Sequence, residues 1–139
     1  MSLNVALYDN KIADAIKLIK ETQVKSIDEA LLNGAIDLLK EIEPEQLYSR
    51  NINHNLIRMA MEAGIYEHLW RPDEINITRA HELIEPLTNG LALLESDPER
   101  FKAFDVPNDW GLYKYFVLFV RDYLTACIKR PDAVVEVSR

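Results

Sequence analysis

Apolar residues recur every three or four positions along most of the chain, the repeat of a helix with one face turned inward. From Asp9, the positions Ile12, Ile16 and Ile19, with Ala15 beside them, predict a first amphipathic helix. Lys17 and Lys20 fall late in it, where they suit the negative end of the helix dipole. Ser26 and Glu29 form an S-x-x-E capping box, in which each side chain takes a backbone N–H left free at a helix start. A second helix is therefore predicted there, burying Ile27, Leu31, Ala35, Leu38 and Ile42 and stopping at Pro44. Asn51 to Asn53, with short side chains suited to capping, predict the start of a third helix with Leu56, Met59, Ala60 and Ala63 on its inner face and Gly64 as its C-terminal cap. Ile65 to Trp70, ended by Pro72, fits one further turn or a loop pinned by Trp70.

Thr78 can cap a fourth helix carrying Ala80, Ile84, Leu87, Leu91 and Leu94. Pro86 falls inside it, and a proline there removes one amide hydrogen bond and crowds the preceding turn, so a kink near Glu82 to Pro86, or a break, is expected. Asp97-Pro98 reads as an N-cap followed by proline at the first helical position, opening a short helix through Phe104, and Val106-Pro107-Asn108 reads as a connector. The last helix, from about Asp109 to Lys129, is apolar over most of its circumference, with Tyr113, Phe116, Val117, Val120, Tyr123, Leu124 and Cys127 on one broad face and Leu118 and Phe119 on the other. Such a helix is packed by neighbours on several sides, which places it at the centre. Only the ends change period: Leu3, Val5 and Leu7, and Val135 and Val137, alternate as strands do. The fold expected is therefore mainly all-α, a compact helical bundle of five to six helices in one domain over residues 1–139, with a short two-stranded ribbon that the termini could form.

Length and charge narrow the function classes. At 139 residues and 48% hydrophobic composition the chain has material for one sizeable core. Sixteen Lys and Arg against 23 Asp and Glu leave a net charge of -7, the opposite of a protein that tracks phosphates, so no nucleic-acid partner is expected. The most apolar run, Tyr115 to Val120, lies between Lys114 and Arg121 and is far short of the roughly 18 residues of a membrane span. No membrane association is expected, and the N-terminus shows no basic and then apolar leader, which makes the cytoplasm the default location. The single Cys127 cannot form an intrachain disulfide and reads as a small buried hydrophobe.

Motifs for chemistry are thin. His54, His68 and His81 fit no strong metal-ligand spacing, and His81 with Glu85 is an i, i+4 arrangement common on solvated helices, so no metal and no cofactor are expected. Gly34, Gly64, Gly90 and Gly111 are scattered and build no phosphate loop or dinucleotide fingerprint. Glu41, Glu43 and Glu45 read as a solvated helix end rather than an acid/base dyad. What remains is the polar cluster Ser49 to Asn55 with Arg58. A helix start exposes free N–H donors, so Asn51, Asn53, His54, Asn55 and Arg58 could hold an anionic or amide-bearing ligand; the simpler account is a cap whose asparagines bond their own backbone. Trp70 and Trp110 are the remaining candidates: Trp110 as a pocket wall or a staple on the first turn of the last helix, and Trp70 alongside it.

Asn51-Ile52-Asn53-His54-Asn55-Leu56, Leu69-Trp70-Arg71-Pro72, Asn108-Asp109-Trp110-Gly111 and the terminal Val137-Ser138-Arg139 resemble small bacterial and prophage proteins that carry no assigned activity. The resemblance covers roughly residues 48 to 139. It implies a cytoplasmic, phage-derived origin and supplies no catalytic residue. Two functions are carried forward: a non-enzymatic accessory or protein-interaction domain, with a protein partner or a homo-oligomer, and a small-molecule binder or enzyme at the Asn51 to Arg58 helix start. A third, mimicry of nucleic acid, rests on the net charge alone and needs one continuous acidic face.

Overall fold

The alternation Leu3, Val5, Leu7 becomes strand β1 (Ser2–Tyr8), with all three side chains fully buried. In the computed structural model, which describes residues 2–21, 29–105 and 112–139, β1 lies between two antiparallel neighbours, β2 (Gln46–Asn53) and β3 (Val134–Ser138). Residues directly opposite in an antiparallel pair share a face. Leu3 opposite Ile52, Val5 opposite Arg50 and Val137, and Leu7 opposite Tyr48 and Val135 therefore form the inner face. The outer face is polar on the β2 side, where Ser49 donates to Asn4 and Asn51 donates to Ser2.

The all-α bundle of five to six helices is thereby corrected: the protein is mixed α/β, with seven helices among the described residues and a three-stranded sheet. The termini do pair, β1 with β3, but as two strands of that sheet rather than as an isolated ribbon. The strand that period counting missed is β2. Its inward positions are Tyr48, Arg50 and Ile52, so a charge sits where an apolar residue is looked for. Asp122 makes that charge tolerable by pairing with the Arg50 guanidinium at 2.9 Å, and the guanidinium lies 6.0 Å from the Phe119 ring centre. Asn51 and Asn53, read as helix caps, belong to the strand, and only Asn53 also caps: its Oδ1 accepts from the Asn55 N–H at 2.8 Å and starts a 3-10 turn over His54–Leu56.

Helix α1 (Lys11–Glu21) and helix α2 (Glu29–Lys40) follow β1, while Ser26 of the expected capping box and Ile27 of the expected stripe lie outside the described residues. After β2 come α3 (Ile57–Glu62), α4 (Tyr66–Trp70), a 3-10 turn over Pro72–Ile75, α5 (His81–Ser96), α6 (Pro98–Lys102) and α7 (Leu112–Lys129). Gly64 ends α3 at φ 75°, a left-handed conformation that glycine adopts without strain. Helix α5 runs through Pro86 without a break. Its start is held by Glu82, whose carboxylate accepts the Thr78 and Arg79 N–H groups at 3.1 and 3.0 Å; these donors hold its acid below the usual carboxylate range.

Helix α7 is central but not covered all round, since Leu118 on its far side is 41% exposed. Phe116, Phe119, Val120, Tyr123 and Cys127 are fully buried, so Phe119, on the far side of the helix, is covered too. The core spans β1, β2, β3 and all helices from α3 to α7. No residue of α1 or α2 belongs to it.

Candidate functional site

The residues singled out at the Asn51 to Arg58 segment do not converge on one site. Asn51 lies on the outer sheet face bonded to Ser2, Asn53 caps the turn, and Asn55 and Arg58 are exposed. His54 and Trp70 do come together, with ring centres 6.2 Å apart, and Trp70 is only 2% exposed. His54 Nε2 and Trp70 Nε1 are buried without a hydrogen-bond partner among the described residues. Trp70 is pinned from the far end of the chain, since Arg139 donates to its backbone carbonyl at 2.7 Å and pairs with Asp73 at 3.0 Å. Trp110 and the rest of Asn108 to Gly111 lie outside the described residues.

A surface cleft of about 620 Å³ lies beside this cluster, lined by Ile57, Met61, Gly64, Tyr66, Glu67, His68 and Arg71. None of the sequence-derived candidates among the described residues lines it. The Tyr66 ring packs on Trp70 at 5.7 Å, and its hydroxyl accepts from Arg71 Nε at 3.2 Å, while Arg71 also pairs with Glu74 at 2.7 Å. The guanidinium is thus held at the rim with its charge already compensated. Burial holds the His68 imidazole below its ordinary pKa against the smaller opposing pull of Glu67, so it is neutral at pH 7. The cleft therefore offers apolar walls and a neutral imidazole, with Glu67 as a carboxylate outside any ion pair among the described residues. One signal in the sequence pointed here: Met61 is apolar yet falls off the inner face of α3.

A second surface is more unusual. Helices α1 and α2 carry Ile12, Ile16, Leu18 and Ile19, and Leu31, Leu32, Ile36, Leu38 and Leu39, respectively. Of these nine only Ile36 is buried. The stripe predicted to face the core, Leu31, Ala35, Leu38 and Ile42, instead faces outward: Leu31 is 68% exposed, Leu38 66% and Ile42 54%. The inward side of α2 is the adjacent row Leu32, Ile36 and Leu39, so the helix is apolar on two rows and covers one. Both rows are visible in the sequence, and counting a single stripe hid the second. One tie to the body is polar: Asp14 pairs with Arg79 at 2.7 Å, and Arg79 also donates to the Asp132 carbonyl at 2.9 Å.

Elsewhere the chemistry is structural. Cys127 is a free buried cysteine whose thiol is pushed up to about 12 by burial, which rules it out as a nucleophile at neutral pH. Tyr48 donates to Asp122 at 2.8 Å and stacks on the buried Tyr123 ring at 5.8 Å; burial, and then the Asp122 carboxylate, raise its pKa. Among the described residues no group of three or more His, Cys, Asp or Glu could hold a metal ion, and no helix is long and apolar enough to cross a membrane. The chain matches no family model, no curated protein and no solved structure. No comparison therefore assigns a residue a role.

Proposed function

We propose that this protein is a non-enzymatic cytoplasmic interaction domain that docks through helices α1 and α2 onto an amphipathic helical face of a protein partner. One observation carries the reading: of the Ile and Leu residues of α1 and α2 only Ile36 is buried and none joins the main core cluster, while Leu31 and Leu38, seven residues apart, stand exposed with Ile42 on a single row. A helix laid alongside covers side chains at that spacing, two turns apart. Contiguous exposed apolar rows of this kind mark interaction surfaces in soluble proteins. The buried, unreactive Cys127 thiol fits a reducing compartment.

The experiment places a photo-crosslinking amino acid at Leu31, at Leu38 and, as a control, at Ser49 on the polar sheet face, in cells expressing the full chain. Irradiation is expected to give a protein adduct from Leu31 and Leu38, mapped by mass spectrometry to an amphipathic helix, and none from Ser49. Absence of an adduct at both leucines overturns the reading. The second reading, a small-molecule binder, is supported by the cleft beside α3 and α4, whose volume of about 620 Å³ lies within the usual range for ligand sites. A fragment screen read at the Met61 methyl and His68 ring resonances tests it, and unmoved resonances remove it.

A further inference from the structure

We infer that the partner covering α1 and α2 is a second copy of this chain, the two helical pairs meeting across a two-fold axis as a four-helix bundle; the inference rests on the docking reading above. The charges of the two helices are the main argument. Helix α1 carries Lys11, Lys17 and Lys20 against Asp14 and Glu21, three against two, for a net charge of +1. Helix α2 and the five residues after it carry Glu29, Asp37, Glu41, Glu43 and Glu45 against Lys40, five against one, for a net charge of -4. Among the described residues no ion pair joins these lysines to these acids within the chain. Helix α2 alone is net -1, and the acidic stretch is its end together with Glu41, Glu43 and Glu45; α1 with its excess lysine is complementary to that end under a two-fold rotation that lays α1 of one copy along α2 of the other.

Shape agrees with charge. The helices have 11 and 12 residues, about 17 to 18 Å each at 1.5 Å per residue, so the two match end to end when exchanged by the axis. Gly34 stands between Leu31 and Leu38 in sequence with nothing within 4 Å of where a Cβ would be, leaving room for a facing side chain to enter. Elements this short put the interface near the low end of stable ones, roughly 1,200 Å² in total, so a reversible dimer with a dissociation constant on the order of micromolar is expected. An anionic membrane surface is the weaker alternative, because the acids flanking the α2 row repel it.

Sedimentation equilibrium of the full chain tests the inference. The expected result is a monomer–dimer equilibrium between 16.1 kDa and twice that mass. Leu31→Glu with Leu38→Glu should weaken the dimer by more than about tenfold, since both side chains lose their apolar seat. Both positions are exposed, so the fold is not at stake, and unchanged circular dichroism checks it. Ile128→Glu, at another exposed apolar residue, should leave the dimer intact. Lys17→Glu with Lys20→Glu, and separately Asp37→Lys with Glu41→Lys, should each give monomers, and mixing the two variants should restore a dimer. A wild-type monomer at hundreds of micromolar overturns the inference. So does a dimer that survives the leucine changes, or a mixture of charge variants that stays monomeric. A monomer whose leucine adducts identify a different protein overturns the second copy and leaves the docking reading standing, whereas a monomer without adducts removes both. A monomer that sediments with phosphatidylserine vesicles also overturns the inference.

Discussion

Helices α5 and α7 on one side and α1 and α2 on the other have similar amphipathic patterns and opposite fates. Leu83, Leu87 and Leu94 of α5 are fully buried, as are Phe116, Phe119 and Tyr123 of α7, and all belong to one core. Helices α1 and α2, with as rich a supply of Ile and Leu, contribute nothing to it. The difference shows that an amphipathic stripe states only that a face requires cover. Whether the cover comes from the same chain is decided by the space the rest of the fold leaves. Among the described residues the sheet and five helices build the core cluster, and the first two helices remain as an attached element whose outer row, Leu31, Leu38 and Ile42, stands exposed.

Truncating a large side chain in each region should give the widest contrast. Trp70→Ala or Phe116→Ala should cost about 3–5 kcal/mol, because a ring is removed from a site that cannot collapse to fill it. Leu38→Ala in dilute, monomeric protein should stay within about 0.5 kcal/mol of wild type. Urea unfolding followed by circular dichroism measures both, and a cost of several kcal/mol at Leu38 would erase the distinction between the regions. Next in size is Gly90→Ala within the body. A Cβ at Gly90 would lie 2.5 Å from Ile65 Cγ2, so about 1–3 kcal/mol of overpacking is expected. Combining it with Ile65→Ala should cost less than the sum of the two single changes, since the second removes the clash.

The same contrast explains what could be read from the chain in advance. Helices α5, α6 and α7 were legible because their stripes are single or all-round and their ends carry strong signals, such as Asp97 followed by Pro98. Strand β2 was not, because Arg50 occupies an inward position that only Asp122, 72 positions further along, makes tenable. Local pattern carries no information about a partner so distant. The outward row of α2 was misassigned for a related reason: Leu31 and Leu38 look like core residues, and only the completed fold shows that the core has closed without them. The Asn51 to Arg58 cluster was legible as a polar segment, and the capping role of Asn53 follows from its chemistry. The cleft nearby is assembled from α3 and α4 side chains whose neighbours are set by the packing of Tyr66 on Trp70.

A glycine on the attached element sharpens the comparison from the other side. Gly34 lies inside α2, and a methyl group there meets nothing within 4 Å. Gly34→Ala should therefore stabilise monomeric protein by about 0.5–1 kcal/mol through the lower entropy of its unfolded chain and the better helix propensity of alanine. The same substitution at two helical glycines then has opposite signs, loss at Gly90 and gain at Gly34. Equal losses at both would place α2 within the packed body after all.

The smallest effect concerns acid, and it separates the regions by their carboxylates. Asp14 on α1 is held below the usual aspartate range, first by the Asn10 amide at 2.6 Å and then by Arg79. Glu82 at the start of α5 is held low by the Thr78 and Arg79 N–H groups. For a carboxylate whose folded pKa is depressed, the unfolded state binds more protons, so its contribution is complete above the unfolded pKa of about 4 and disappears as pH falls through the folded value. Lowering the pH from 5 to 3 should therefore reduce the amide protection factors, each referred to the slower intrinsic exchange at the lower pH, both in α1 and in the first turn of α5. Asp14→Asn should abolish the pH dependence in α1 alone and Glu82→Gln that in α5 alone, because α1 reaches the body through the Asp14–Arg79 contact rather than through shared core packing. A pH response in α5 that Asp14→Asn removes would mean that the two regions open as one unit, and the division between them would fail.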